Sequence, residues 1–213
     1  MVDKEFFDKL KEKAKSYSED GGSHDFSHTE RVYNLALLIS KDENADLDVV
    51  KAATLLHDIA REKEHKKECE CHAEEGAIMA EQILKEMNFP QDKISRVAYA
   101  IKVHRHSTNI TPETIEAAIL QDADRLDALG AIAIARMFAS GGRAKIPLYN
   151  PEQKPTAHTY KGQKSTIEGF HKKILKITPE TFKTAKAKEI AKERYQFVED
   201  FLERFIKEWN GKE

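Results

Sequence analysis

The residues of this sequence whose types and spacing suggest chemistry are histidines and aspartates. A His-Asp pair occurs twice, as His24-Asp25 and His57-Asp58. Alone, such a dipeptide is a weak motif, but context separates the two. His24-Asp25 follows Gly21-Gly22 in a polar turn, whereas His57-Asp58 lies in the run from Val49 to Ala60, apolar on most sides. A helix of that character is buried, and a carboxylate buried with it needs a cation or several hydrogen-bond donors. His57 offers a neutral nitrogen beside it. Adjacent helical residues differ by about 100° in direction, so both side chains can lean toward one ion in a groove between helices. Further candidates are His28, at the start of the second predicted helix, and the acidic residues of Asp122-Ala123-Asp124-Arg125-Leu126-Asp127, framed by Ile119-Leu120 and Ala128-Leu129. Two imidazoles and two carboxylates suit Mn²⁺, Fe²⁺, Ni²⁺ or Zn²⁺ better than Ca²⁺, which takes an all-oxygen shell. Four protein ligands on an octahedral ion leave two positions for water and substrate. That is the layout of a hydrolytic site, in which the cation activates water and polarises a phosphoryl oxygen.

The elements that must hold these groups are helices throughout. Apolar residues recur at three and four, as in Leu35, Leu38, Ile39 and in Ile78, Ile83, Leu84, Met87, while period-two alternation is nearly absent. The fold class is therefore all-α. The pattern predicts helices over 3–17, 28–41, 47–61, 69–87, 90–104, 112–140, 165–176 and 179–209, the sixth reading either as one helix or as two joined near Asp122. Ser27 with Glu30 reads as a capping box. Thr111 before Pro112 and Thr178 before Pro179 place a cap ahead of a proline, and Pro90 opens a further helix. Between Gly141 and Lys164 lie Gly141, Gly142, Pro147, Pro151, Pro155 and Gly162. A loop of that length is functional or disordered. The last helix carries Ile190, Phe197, Phe201, Leu202, Phe205 and Trp209 on one face, which docks on the bundle or on another subunit of a homo-oligomer.

Taken together, these motifs resemble the HD-domain metal-dependent phosphohydrolases, whose pattern is a His, then His-Asp, then a distant Asp, all on helices of one bundle. Here the pattern reads His28 in His24-Asp25-Phe26-Ser27-His28-Thr29-Glu30-Arg31-Val32, then His57-Asp58, then Asp124. The stretch from Gln121 to Ile132 with Ala135-Arg136 is similar to one subgroup, small bacterial HD proteins that include nucleotide pyrophosphatases. So are Phe170-His171-Lys172-Lys173-Ile174-Leu175 and Glu193-Arg194-Tyr195-Gln196-Phe197. The resemblance spans about residues 24–209. It implies a single-domain helical bundle of the HD type over 1–213, with the HD core about 24–140, a long loop 141–164 and C-terminal helices 165–209. It implies His28, His57, Asp58 and Asp124 as metal ligands. Asp124 is preferred because the family's last ligand is the second aspartate of Asp-x-Asp-Lys/Arg; the alternative is Asp122 as ligand with Asp124 capping a helix. The cofactor implied is a divalent ion, drawn from Mn, Mg, Fe, Ni, Co or Zn.

Other residues then acquire candidate roles. His72 and His104 line the cleft for a second metal or for substrate phosphate; otherwise His72 is exposed and His104 caps a helix C-terminus, where a cation is favoured. Arg31 and Arg61 follow His28 and His57 at helical spacing. With Arg125, Arg136, Arg143 and Lys145 they are candidates to meet phosphates, and the alternative is a solvated face or ion pairs with Glu30, Glu62 or Asp127. Asp58 counts among the catalytic groups, as do Glu62 and Asp127, which can orient the attacking water. A rival zinc site is conceivable in His65-Lys66-Lys67-Glu68-Cys69-Glu70-Cys71-His72. The spacing is unusual for zinc, and a helix would point Cys69 and Cys71 to opposite sides.

Composition limits the rest. The chain has 213 residues, 40% hydrophobic, with 35 Lys+Arg against 37 Asp+Glu and a net charge of −2. That supports a real core and excludes a disordered chain. It leaves no positive excess for nucleic acid, and Glu189 and Glu193 interrupt the Lys-rich stretch from Phe182 to Arg194. No apolar run is long enough for a membrane span, and Met1 to Leu10 lacks the apolar core of a signal peptide. Two cysteines suggest a reduced, cytoplasmic protein. The expected activity is hydrolysis of a nucleotide, by the subgroup resemblance a (deoxy)nucleoside triphosphate cut to monophosphate and pyrophosphate. The alternatives are a phosphodiesterase or phosphomonoesterase on another phosphorylated small molecule, and a non-catalytic module whose metal is structural.

Overall fold

A computed structural model describes residues 2–18, 26–106, 110–152 and 165–212. The expected turn at His24-Asp25 and residues 153–164 of the expected loop lie outside these. The described regular elements are all helical, as the periodicity predicts: α1 Lys4–Lys15, α2 Phe26–Ile39, α3 Leu47–Leu56, α4 Arg61–His65, α5 His72–Glu86, α6 Gln91–Val103, α7 Ile115–Leu126, α8 Ala131–Arg143, α9 Thr166–Lys172 and α10 Ala185–Trp209. Short 3-10 turns lie at Ser40–Asp42, Ile174–Lys176 and Pro179–Thr181. Among the described residues no helix is long and apolar enough to cross a membrane. The chain forms two compact units, Met1–Asp124 and Arg125–Glu213.

In the first unit α5 packs on α6, and α3 lies against α2 and α6. Leu56, Leu84, Ile94 and Ile101 of these helices are fully buried, as are Ile119 and Leu120 of α7, each side chain contributing about 1.5–3 kcal/mol by leaving water. Ion pairs tie the starts of α3, α6 and α7 together. Lys93 on α6 reaches Asp46 Oδ1 at 2.9 Å and Asp48 Oδ2 at 2.7 Å. Arg96, one turn on, holds Asp46 Oδ2 at 3.1 Å and Glu116 Oε1 at 2.7 Å. With their starts joined, the three helices run in one direction, and their C-terminal ends come together as well.

The second unit is built on aromatic packing. Phe138 of α8 lies 5.8 Å from Phe170 of α9 and 5.9 Å from Phe201 of α10, ring centre to ring centre. Arg194 of α10 donates to the Leu126 carbonyl at 2.6 Å.

Several expected boundaries shift for local reasons. The helix predicted over 47–61 stops at Leu56 and restarts as α4. The division of 112–140 falls between Leu126 and Ala131, not near Asp122. Gly130 there has φ +80°, and the Arg194 side chain sits 3.1 Å from where a Cβ would be, so glycine is required. α8 continues through Gly141-Gly142 to Arg143; a Cβ on Gly141 would collide with the Thr166 hydroxyl. The last helix starts at Ala185, where Thr184 caps it by accepting the Ala187 N–H. Ser27 lies inside α2 and is no cap; its hydroxyl accepts from Arg31 at 2.8 Å.

Candidate metal centre

The break after Leu56 creates the centre. In a continuing helix the Thr54 carbonyl would accept the N–H of residue 58. Here it accepts Nδ1–H of His57, the C-cap of α3, at 2.8 Å. The chain then turns, Arg61 N–H donating to the Asp58 carbonyl at 2.9 Å, and both His57 and Asp58 project from the turn. The end of α6 repeats the device: C-cap His104 donates Nδ1–H to the Ile101 carbonyl at 2.6 Å. Gln121 of α7 covers the Val103 carbonyl at 3.2 Å. A carbonyl only accepts, so both rings carry hydrogen on Nδ1 and present an Nε2 electron pair.

These pairs converge. His28 Nε2, on buried α2, lies 3.4 Å from His57 Nε2, 3.2 Å from Asp124 Oδ1 and 3.8 Å from Asp58 Oδ2. His57 Nε2 is also 3.8 Å from Asp58 Oδ2. Donors about 2.1 Å from one ion stand about 3.0 Å apart along octahedral edges and about 3.4 Å apart along tetrahedral ones. The donor atoms are thus spaced as ligands, with His28, His57 and Asp58 a tight trio and Asp124 joined through His28. A second trio shares Asp58: its other oxygen, Oδ1, lies 3.4 Å from His72 Nε2 and 3.7 Å from His104 Nε2. The four imidazoles form a chain, with centroids 5.4 Å apart for His28–His57, 5.2 Å for His57–His104 and 5.3 Å for His72–His104. Mixed nitrogen and carboxylate donors of this kind fit a divalent first-row ion.

The electrostatics favour a cation. Burial holds the His57 imidazole down to about 4, against the pull of Asp58. Burial also opposes ionisation of Asp58, but His57, His104 and Arg61 together outweigh it and hold that carboxyl well below its usual range. Asp124 falls to about 2, the His28 hydrogen bond and charge overcoming its burial. For His104, burial is overcome by Asp58, which raises it; this imidazole draws a proton to the side of Asp58 that a cation would fill. The C-terminal ends of α3 and α6, capped by His57 and His104, meet at the same place.

The six residues His28, His57, Asp58, His72, His104 and Asp124 are therefore brought together. Asp124 is the carboxylate that meets His28, while Asp122 is buried two residues earlier on α7, on the far side of the helix. Arg61 on α4 stands beside them, its Nη1 3.4 Å from Asp58 Oδ1 and 3.3 Å from His72 Nε2. Glu62 pairs with Lys66 at 3.3 Å, and Arg31 bonds Ser27. In the second unit Asp127 is buried and paired with Arg136 at 2.9 Å. Arg125 lies over the Phe182 ring. Arg143 ends α8, and Lys145 beyond it has φ +55°. Cys69 and Cys71 are half-buried free thiols, and His72 turns to Glu64 and Asp58 instead. Two residues escaped sequence reasoning: Glu64, which accepts from His72 Nδ1 at 2.7 Å, and Arg105, which holds Glu64 at 2.6 Å. Both sit among other charged residues with no periodic signal to set them apart.

Comparison with known proteins adds an independent line. The HD domain family matches residues 25–129. YpgQ of Bacillus subtilis (strain 168), described as uncharacterized, is 30% identical over 201 residues, covering 91% of this chain and 88% of its own. Among solved structures, an HD-superfamily hydrolase from Bacillus thuringiensis superposes with a TM-score of 0.78 at 33% identity, covering 97% of each chain. The complex of Bacillus subtilis YpgQ with ADP superposes with a TM-score of 0.72 at 29% identity, over 96% of this chain and 95% of that one.

Proposed function

The chain belongs to the HD-domain family, and from that premise we propose that it is a metal-dependent phosphohydrolase acting on nucleotides, with (deoxy)nucleoside triphosphates cut to monophosphate and pyrophosphate as the favoured reaction. The observation that carries the reading is Asp58. One of its oxygens faces His28 and His57 and the other faces His72 and His104, with a guanidinium, Arg61, against the same carboxylate. His28, His57, Asp58 and Asp124 are the residues that would hold the ion. A divalent cation at such a set supplies Lewis acidity and lowers the pKa of water. The chain's own residues do the rest. Asp58 and Asp124 stay ionised, so they offer negative charge to a cation. His57 stays neutral and keeps its Nε2 pair available. Arg61, partly exposed beside the carboxylate, is placed to take a phosphate oxygen and to offset charge as the leaving group departs. His104 and His72 form the wall on the other side of Asp58. The ADP bound to the relative YpgQ supports a nucleotide as ligand.

The test is a panel of nucleoside triphosphates, diphosphates and monophosphates incubated with Mn²⁺, Mg²⁺, Co²⁺ or Ni²⁺, with orthophosphate and pyrophosphate measured separately. Pyrophosphate with a monophosphate co-product is expected, lost on chelation. Orthophosphate alone would replace the proposed bond with a monoester or a terminal anhydride. Turnover unchanged in His57→Ala and Asp58→Ala would place the chemistry elsewhere.

A further inference from the structure

The way the histidines are oriented leads one step further, resting on the reading of the centre as a cation site. His57 and His104 lean their Nδ1–H on carbonyls of their own helices, a partner that no side-chain substitution removes. His72 has no such carbonyl, because it is the first residue of α5 and no helical turn precedes it. Its Nδ1 meets Glu64 Oε2 of α4 at 2.7 Å instead. The other oxygen of Glu64 accepts from Arg105, the residue after the α6 cap, at 2.6 Å. A carboxylate paired with a guanidinium is an acceptor only, so the hydrogen of His72 lies on Nδ1. On the opposite edge of the ring Arg61 Nη1 stands 3.3 Å from His72 Nε2, a donor facing an electron pair. Asp58 Oδ1 lies 3.4 Å from the same Nε2 and 3.4 Å from the same Nη1, so a cation shared by His72 and Asp58 would take the place of the Arg61 N–H. His72 is almost fully buried, so the protein groups around the ring set its tautomer.

We propose that Glu64, clamped by Arg105, is a positioning residue of the centre: it fixes His72 as the Nδ1–H tautomer and aims its Nε2 at the cation site shared with Asp58. The physical effect is twofold. The ring cannot flip without leaving a carboxylate without its donor. The negative charge behind Nδ1–H also makes Nε2 a stronger electron-pair donor.

The experiment reads the tautomer directly. Histidine-¹⁵N-labelled, metal-free protein at mildly alkaline pH is examined by long-range proton–nitrogen correlation spectra, with His72→Gln assigning the signals. In the wild type, Nδ1 of residue 72 is expected to resonate as a protonated nitrogen and Nε2 as an unprotonated one. Glu64→Ala should move the ring to a mixture of tautomers. By calorimetry it should weaken by about 10–100-fold the class of Mn²⁺ site that His104→Ala removes. Glu64→Gln keeps one acceptor oxygen for two donors, His72 Nδ1–H and Arg105, so it should recover the tautomer and the affinity only in part, and Glu64→Gln with Arg105→Ala, which leaves that oxygen to His72, should recover more. Arg105→Ala leaves the carboxylate but frees it, and should give an intermediate mixture; it also serves if Glu64→Ala does not fold. A purely structural role for Glu64 would lower the melting temperature while leaving both the tautomer and the Mn²⁺ affinity as they were, and that result overturns the proposal. Because the spectra are recorded without metal or substrate, the tautomer can come out as expected in a protein that hydrolyses no nucleotide. In that case the reaction is misassigned and the positioning role stands.

Discussion

The two ends of the α3, α6 and α7 bundle handle buried charge in opposite ways. At the starting end Asp46, Asp48 and Glu116 are met by Lys93 and Arg96, with the Val2 N–H on Asp48 at 3.1 Å. The acidic groups also sit at helix N-termini, where the macrodipole favours them. At the other end Asp58 and Asp124 are faced by imidazoles and by Arg61; burial keeps His57 neutral, while Asp58 draws a proton to His104. The same three helices thus carry carboxylates locked by an ammonium and a guanidinium at one end, and carboxylates interleaved with four imidazoles at the other. Ion pairs with Lys and Arg hold structure; carboxylates set among imidazole nitrogens offer a donor set to a cation. Proteins commonly accept lower stability at such sites in return for function.

That contrast can be broken most severely at Asp58. Asp58→Ala should lower hydrolysis by about 10³-fold or more, since about 4 kcal/mol of transition-state stabilisation corresponds to that factor. The metal-free melting temperature should stay level or rise. A variant that loses stability as well as turnover would mean that the centre is also a structural lock. The opposite end should behave in reverse. Lys93→Met strands the buried Asp48 carboxylate and should cost about 3 kcal/mol in denaturant unfolding, while turnover per folded molecule is retained. Next in size is the effect of the ion. Mn²⁺ at about a hundred times its dissociation constant should stabilise the wild type by about 2.7 kcal/mol. Asp124→Ala should lose most of that gain and Lys93→Met should keep it. The smallest expected effect is the pH response of the lock. Asp46 is lowered from 3.8, Lys93 overcoming its burial, and Lys93 is raised from 10.5, Asp48 and Asp46 overcoming its burial. The depressed carboxyl contributes stability that is present above 3.8 and lost as pH falls through its folded value. The raised ammonium contributes stability that is present below 10.5 and lost as pH climbs through its folded value. The stability gap between wild type and Lys93→Met should therefore be widest between those limits and narrow toward acid, as followed by urea titration at a series of pH values.

Much of the centre could be read in advance. The apolar run around His57-Asp58 marks a buried carboxylate, and the acidic residues framed by Ile119-Leu120 and Ala128-Leu129 mark another. Asp58 is nearly buried but sits in the turn after α3 and not on its face, and the Asp124 side chain keeps 30% exposure. The break after Leu56 did not show, since Thr54, His57 and Arg61 are all compatible with a continuing helix; the competition of the His57 ring for the Thr54 carbonyl arises only once the ring is packed. The Gly141-Gly142 pair misled in the other direction, signalling a loop where close approach to Thr166 calls for a residue without a side chain. Glu64 and Arg105 give no signal, because one more Glu and one more Arg in a charged segment look like solvated surface until Glu64 meets His72 and Arg105 meets Glu64.

What the amino-acid order determined by itself is the set of helices and the donor types they carry, because helical period and the acid–base character of a side chain are local properties. Which helix ends coincide, which aspartate of Asp122 and Asp124 reaches His28, and which nitrogen of each imidazole faces inward were decided only by the tertiary structure. A ligand set exists only when donors from three helices and the ends of two more come within a few ångströms of one another, and that proximity depends on long-range packing.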